Sequence, residues 1–404
     1  MFDFRGGGGG GPAFHFDEDS YDPAPAIEPG VIAGNYTGEE FRNFKYFIPN
    51  KFHPQVGSEK ATLIVLVRNR ELQDTLSTMK QIENGFNRKF HYPYTFLNDE
   101  PFTEEFIKLT TLMASSRTEY ALIPQFDWST PDWIDQGKFM ETRQRMASHG
   151  VIYGESEPYR KMCRFNSGFF WRQKVTMKYD WYWRMEPATH FYCDLPYDPF
   201  AYLKEHNKIY GFVQSLPEYL ETVETLWPTT QQFIKDNPAF LHPNASLHFV
   251  SNNEKYQRLH ELFQKVDYNL CHFWSNFEIG SLQFFRSPAY QKYFDYLDQV
   301  GGFFYERWGD APVHSLAVAL FAGKEQLHWF ADIGYKHNPW GRWPIDNFSY
   351  EKGRCVIHED RGKSFDNDPY SCIPKWREVA GMPPRPTKGF AGEETLLTVH
   401  PYRS

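Results

Sequence analysis

Residues Ala61–Val67 read A-T-L-I-V-L-V, an unbroken apolar and largely β-branched run of strand length. A strand with one wet face alternates apolar and polar residues. A run without alternation is buried on both faces, as in a parallel sheet. Glu71–Phe86 follows as an amphipathic helix, with Leu72, Leu76, Met79, Ile82 and Phe86 at three- and four-residue spacing. Tyr94–Leu97 is a second short strand, ending in Asn98-Asp99. Strand, helix, strand in this order predicts a right-handed crossover and a parallel α/β sheet. Ligands of such sheets bind outside the carboxyl ends of the strands, where Arg68 and Asn69 fall. No G-x-G-x-x-G and no Walker loop occurs, so a dinucleotide site or a P-loop ATPase has no support.

Further along, Thr103–Met113 and Lys138–His149 read as helices, and Trp181–Met185 reads as a central aromatic strand. Pro187 cannot donate to a ladder, so that strand should end at Glu186. A carboxylate there is placed to meet a divalent cation, or simply to pair with Arg184 or a lysine. Phe191–Asp194, Lys208–Gln214 and Leu327–Ile333 read as short strands. Pro217–Trp227, Thr229–Lys235, Pro288–Val300 and Ala311–Ala322 read as helices, and the segment from Trp340 as irregular. Residues 1–40, with the Gly6–Gly11 run and an acidic, Pro-containing segment, bury too little to offset ordering entropy and read as a disordered, stem-like tail.

The densest chemistry lies between Cys271 and His314, where aromatic residues surround Glu278, Glu306, Arg307, Asp310 and His314. Apolar walls with a few convergent polar groups describe a small-molecule site. The bland alternative is an aromatic core edged by ion pairs, with Glu306 and Arg307 as one such pair. Aromatics make up 18% of the chain, enough to fill a core and line a cleft for sugars or nucleobases. A net charge of −8 argues against an electrostatic nucleic-acid binder.

Five cysteines allow at most two disulfides with one thiol left over. Cys355 and Cys372 lie seventeen positions apart, and a disulfide pinning that loop to itself is expected. The cysteines and three sequons, at Asn35, Asn244 and Asn347, lean toward a secretory compartment. No hydrophobic run approaches the length of a membrane span, and no signal peptide is visible.

Long blocks of the chain match one family. They are T-L-I-V-L-V-R-N-R-E-L at 62–72, Y-R-K-M-C-R-F-N-S-G-F-F at 159–170 and Y-W-R-M-E-P at 182–187. The others are C-H-F-W-S-N-F-E-I-G at 271–280, G-G-F-F-Y-E-R-W-G-D-A-P-V-H-S at 301–315 and H-W-F-A-D-I-G-Y-K-H at 328–337. From Ala61 to Trp376 the chain resembles the fungal α-1,2-mannosyltransferases of glycosyltransferase family fifteen, the yeast-type Golgi enzymes.

The resemblance implies a GT-A-type α/β domain over residues 41–404, with a mixed, Rossmann-like nucleotide-sugar-binding sheet flanked by helices and an irregular segment, 340–404, packed on it. It implies GDP-mannose as donor, a mannosylated glycan or glycoprotein as acceptor, Mn²⁺ as cofactor and retention at the anomeric carbon. Glu186 matches a metal ligand and His337 the second one. Glu278 matches the family's candidate nucleophile, and Arg68, Tyr159 and Asp310 match donor-site positions. Relatives are type II Golgi membrane proteins, so the location implied is the Golgi lumen, reached through an N-terminal anchor that this sequence does not show. One departure is Ala188, where the family often carries an acidic or amide residue after Glu-Pro. The same donor, metal and fold would also serve a mannosylphosphate transferase, and a mannan-binding relative without turnover is a third reading.

Overall fold

The computed structural model describes residues 57–252, 268–357 and 361–383. The expected tail, residues 1–40, and the Asn35 sequon lie outside them. Twelve strands occur among the described residues. They are β1 Ala61–Leu66, β2 Tyr94–Asn98, β3 Thr118–Leu122, β4 Trp181–Arg184, β5 His190–Phe191 and β6 Tyr210–Phe212. Then come β7 Ser215–Pro217, β8 Cys271–Phe273, β9 Glu278–Ser281, β10 Leu327–Trp329, β11 Tyr335–His337 and β12 Trp340–Arg342.

Seven strands form the main sheet in the order β10-β6-β9-β4-β1-β2-β3. Its pairs are parallel except those of β9, which runs antiparallel to both β4 and β6. The expected β1–helix–β2 unit is present, with β1 central and its residues buried up to Ile64 and Val65. A wholly parallel sheet is not: the sheet is mixed, as the resemblance implies.

The main helices are α1 Leu72–Ile82, α2 Glu104–Met113, α3 Gln136–Ser148, α4 Glu157–Gly168, α5 Leu226–Asp236, α6 Pro288–Val300 and α7 Asp310–Phe321. Apolar side chains sort into two cores, one on each face of the sheet. One core holds Leu63, Val65 and Trp183 with Met79 and Ile82 of α1 and Phe106 of α2. The other holds Ile64, Tyr182 and Tyr210 with residues of α4, α6 and α7. Strand alternation divides neighbours such as Leu63 and Ile64 between the two faces.

Helix α4 was not legible from hydrophobic periodicity, because its buried face carries arginines. Ser156 caps it by accepting from the Tyr159 N–H, and Pro158 sits in its first turn. Arg164 is buried and grips both carboxylate oxygens of Asp298 on α6, at 2.7 and 2.8 Å. A two-pronged, hydrogen-bonded pair of this kind keeps the buried charges compensated.

Two expectations are corrected here. The disulfides are Cys193–Cys355 and Cys271–Cys372, with Cys163 a buried free thiol. Cys355 and Cys372 each reach back to a distant segment instead of closing their own loop, so the C-terminal segment is stapled at two points. Pairing follows Cα proximity in space, which sequence spacing does not report. The segment Pro217–Trp227 is not one helix either. It begins in β7, makes a single 3₁₀ turn at Leu220–Thr222 and enters α5 only at Leu226.

Candidate active site

Strands β1 and β4 end at one edge of the sheet, and antiparallel β9 begins there. That topology brings Arg184, the last residue of β4, beside Glu278, the first residue of β9. Side chains alternate along β9. Phe277 and Ile279 enter one core, while Glu278 and Gly280 face Tyr182 and Tyr210. A side chain at Gly280 would meet the Tyr182 ring at 2.8 Å, so the missing Cβ lets that ring lie across the strand. A small cavity opens here, lined by Ile64, Leu66, Asn166, Phe170, Tyr182, Arg184 and Glu278.

Glu278 is buried, and its Oε2 accepts from the Tyr210 hydroxyl at 2.8 Å. The same oxygen lies 3.0 Å from Nδ1 of His314, itself fully buried on α7. His314 Nε2 lies 3.0 Å from the carbonyl oxygen of Asn166, which can only accept, so Nε2 carries a hydrogen. Two partners on Oε2 fix the carboxyl group.

Arg184 is the hub. Its Nε donates to Glu186 Oε1 at 2.6 Å and its Nη1 to Asp310 Oδ2 at 2.5 Å. The Ser275 hydroxyl donates to the same Asp310 oxygen at 2.6 Å. Asp310 opens α7, where the helix dipole favours a negative charge. Burial pushes the Asp310 carboxyl up, but Arg184, His314 and the Ser275 hydroxyl outweigh it and hold it below the usual carboxylate range.

Glu186 and His337 are brought together by a short path. The turn after Glu186 leads into β5, and β5 pairs with β11, which ends at His337. Thr189 pins the turn by donating to the Glu186 carbonyl oxygen at 2.9 Å. The His337 ring meets Trp274 edge-on, centroids 5.3 Å apart, which makes Trp274 a wall of the site. Burial lowers the His337 pKa, with Glu186 opposing, which favours the neutral ring.

Tyr159 stands in the first turn of α4. Its ring stacks on Tyr153, centroids 4.4 Å apart, with the Arg307 guanidinium 5.1 Å away on the ring. Burial raises its hydroxyl pKa well above the usual value, with Cys163 adding and Arg307 opposing. It is therefore a neutral hydrogen-bond donor. Arg68 stands half-buried just beyond β1 and does not join the Arg184 cluster. The expected Glu306–Arg307 pair is not formed. Glu306 accepts from Thr225 and from the Trp308 indole, while Arg307 faces Glu218 at 3.5 Å.

Residues 30–381 match the family model described as glycolipid 2-alpha-mannosyltransferase. The chain belongs to that family. It is 50% identical over 324 residues to glycolipid 2-alpha-mannosyltransferase 2 of Candida albicans, covering 80% of this chain and 68% of that one. It is 44% identical over 370 residues to the alpha-1,2 mannosyltransferase KTR1 of Saccharomyces cerevisiae, covering 92% and 90%. Among solved structures, Ktr4p of S. cerevisiae in complex with GDP superposes with a TM-score of 0.74 at 39% identity, covering 81% of this chain and 83% of that one. Core-mannan synthase A of Aspergillus fumigatus, in an Mn/GDP form, gives a TM-score of 0.74 at 38% identity, covering 89% and 93%. The fold is thus the GT-A type of these mannosyltransferases, and the protein is a glycosyltransferase.

Three members of the cluster were not singled out for a role by sequence reasoning. Arg184 was weighed only as a structural partner of Glu186. Strand alternation places the two on one side, and that was the available signal. Ser275 and His314 join only through tertiary contacts. Ala188 has φ 56°, in the left-handed region. A residue with a Cβ costs about 1–2 kcal/mol there relative to Gly, and Asn is also tolerated. Ala188→Gly is therefore expected to raise stability to unfolding by about 1 kcal/mol, measured by urea denaturation. No gain would mean that the turn is not strained.

Proposed function

We propose that this protein transfers mannose from GDP-mannose, with retention and in α-1,2 linkage, to mannose-terminated O- or N-linked glycans of secretory glycoproteins in the Golgi lumen. Among the described residues no helix is long and apolar enough to cross a membrane. The reading rests above all on the Arg184 fork, which gathers Glu186 and Asp310 at the sheet edge where Glu278 is held. Arg184 and Glu278 both line the small cavity at that edge.

The residues fit Mn²⁺. Glu186 is a fifth exposed, and the neutral His337 ring has its Nδ1 3.3 Å from the Asn338 carbonyl oxygen. That contact orients the ring and turns Nε2 outward as the ligating nitrogen. One carboxylate and one imidazole suit Mn²⁺ when substrate oxygens and water complete the shell. When bound, the ion would offset the charge of the departing GDP.

The protein's own groups do the rest. Arg68 offers a fork to phosphate or ribose, and Tyr159 donates to the diphosphate. Asp310 accepts from sugar hydroxyls. Glu278 presents Oε1 to the positive charge that grows at the anomeric carbon, as nucleophile or as electrostatic stabiliser. The departing phosphate oxygen takes the acceptor's proton, so no separate protein base is needed.

The test is GDP release from GDP-mannose with methyl α-mannoside, with and without Mn²⁺, and NMR of the product. An α-1,2-linked dimannoside is expected. Glu186→Ala and His337→Ala should each lose activity by at least about 100-fold, and chelation of the wild type should do the same. A phosphodiester product would replace this reading with mannosylphosphate transfer, and failure to bind GDP would remove the donor assignment.

A further inference from the structure

The chemistry above gives His314 no role, yet burial leaves this ring and Glu278 few ways to arrange their protons. The ring is fully buried and Glu278 is 1% exposed, so water satisfies neither group. His314 Nε2 carries a hydrogen, because the Asn166 carbonyl oxygen 3.0 Å away can only accept. A neutral ring would then have a bare Nδ1. That nitrogen lies 3.0 Å from Glu278 Oε2, a hydrogen-bond distance at which two lone pairs would repel. One proton therefore sits on the Nδ1–Oε2 axis, on the carboxyl group or on the ring.

Three observations favour the ring. Tyr210 already donates to Oε2 at 2.8 Å, and a carboxylate oxygen accepts two such bonds better than a carboxylic hydroxyl does. Asn166 lies in the last turn of α4, so Nε2 meets a carbonyl at the negative end of that helix, where a cation is favoured. Asp310, one turn earlier on α7, adds a second carboxylate that interacts electrostatically with the ring. Arg184, at the end of β4, opposes with one positive charge. Tyr182, Tyr210 and Tyr290 also face the pair and stay neutral, because burial raises their hydroxyls well above the usual range. A buried carboxylate and a buried imidazolium are each costly alone and compensate one another when hydrogen-bonded.

We propose that His314 is a positioning residue for Glu278: as an imidazolium clamped between the carboxylate and the end of α4, it keeps Glu278 ionised and fixed at the sheet edge. The proposal rests on the transferase reading above, in which Glu278 acts at the anomeric carbon. The buried ring acts through Glu278 and not on the substrate.

The first measurement is nitrogen NMR of wild-type protein carrying isotope-labelled histidine at neutral pH, with the His314 signals assigned by their loss in His314→Phe or His314→Asn. Both ring nitrogens should be protonated, and a ring with one bare nitrogen would overturn the proposal. The second is kinetic. Phe keeps an aromatic ring among Phe170, Phe285 and Tyr290 but supplies no proton. His314→Phe should lower kcat for mannosyl transfer by about 10- to 100-fold, with the KM for GDP-mannose and the circular dichroism spectrum close to wild type. His314→Asn returns an uncharged N–H near the Nδ1 position and should recover part of the loss. An unchanged kcat in His314→Phe would overturn the role, and so would a loss carried by KM alone. A doubly protonated ring in a wild-type protein that transfers no mannose would uphold the proton assignment and count against the transferase reading.

Discussion

Glu278→Gln is expected to lower kcat for mannosyl transfer on the order of 100- to 1,000-fold, with the KM for GDP-mannose changed only severalfold. The substitution keeps the shape of the side chain. A glutamine carbonyl oxygen can still accept from the Tyr210 hydroxyl, which now donates to Oε2 at 2.8 Å. Under the proposed mechanism, what disappears is the carboxylate set opposite the anomeric carbon. Its charge matters most in the transition state, so the loss belongs in kcat. Rates under saturating donor and acceptor, with circular dichroism to confirm the fold, decide the matter. A variant within tenfold of wild type would remove Glu278 from both the nucleophilic and the electrostatic role.

Arg184→Met is expected to destabilise the fold by about 3–5 kcal/mol, because it leaves buried carboxylates without their cation. The Arg184 side chain is 11% exposed and that of Asp310 is 7% exposed, so water does little to compensate. Arg184→Lys should lie between the two, since an ammonium keeps the charge but cannot span Glu186 and Asp310 as a fork. The effect carries a pH signature. Asp310 is held below its unfolded pKa, so its contribution is fully present above about pH 4 and is lost as pH falls through the folded value. The stability gap between wild type and Arg184→Met should therefore narrow below about pH 4. Thermal melts across pH 3–7 measure it, and a constant gap would mean that Asp310 is not the group Arg184 stabilises.

The amino-acid sequence by itself determined the elements whose cause is local. The apolar run at β1, the three- and four-residue spacing of α1 and the unbroken apolar run of α7 are local signals, and each element is found there, with α1 passing at Glu83 into a π-helical turn that holds Phe86. Pro187 cannot continue a ladder, which put the end of β4 at Glu186, two residues past the observed end at Arg184. The family blocks marked Glu186, Glu278, Asp310 and His337, and the fold brings Glu186 with His337 and Asp310 with Arg184.

Only the tertiary structure decided the rest. Four residues of β9, ending in Gly280 and Ser281, carry too short a pattern to announce a central strand. Their insertion between β4 and β6 is what turns Glu278 toward Tyr210 and His314. Arg184 meets Asp310 across 126 positions, and Cys271 meets Cys372 across 101. Periodicity reports which face a residue turns inward. It does not report which distant residue waits there, because that depends on how whole elements pack to exclude water and satisfy buried charge.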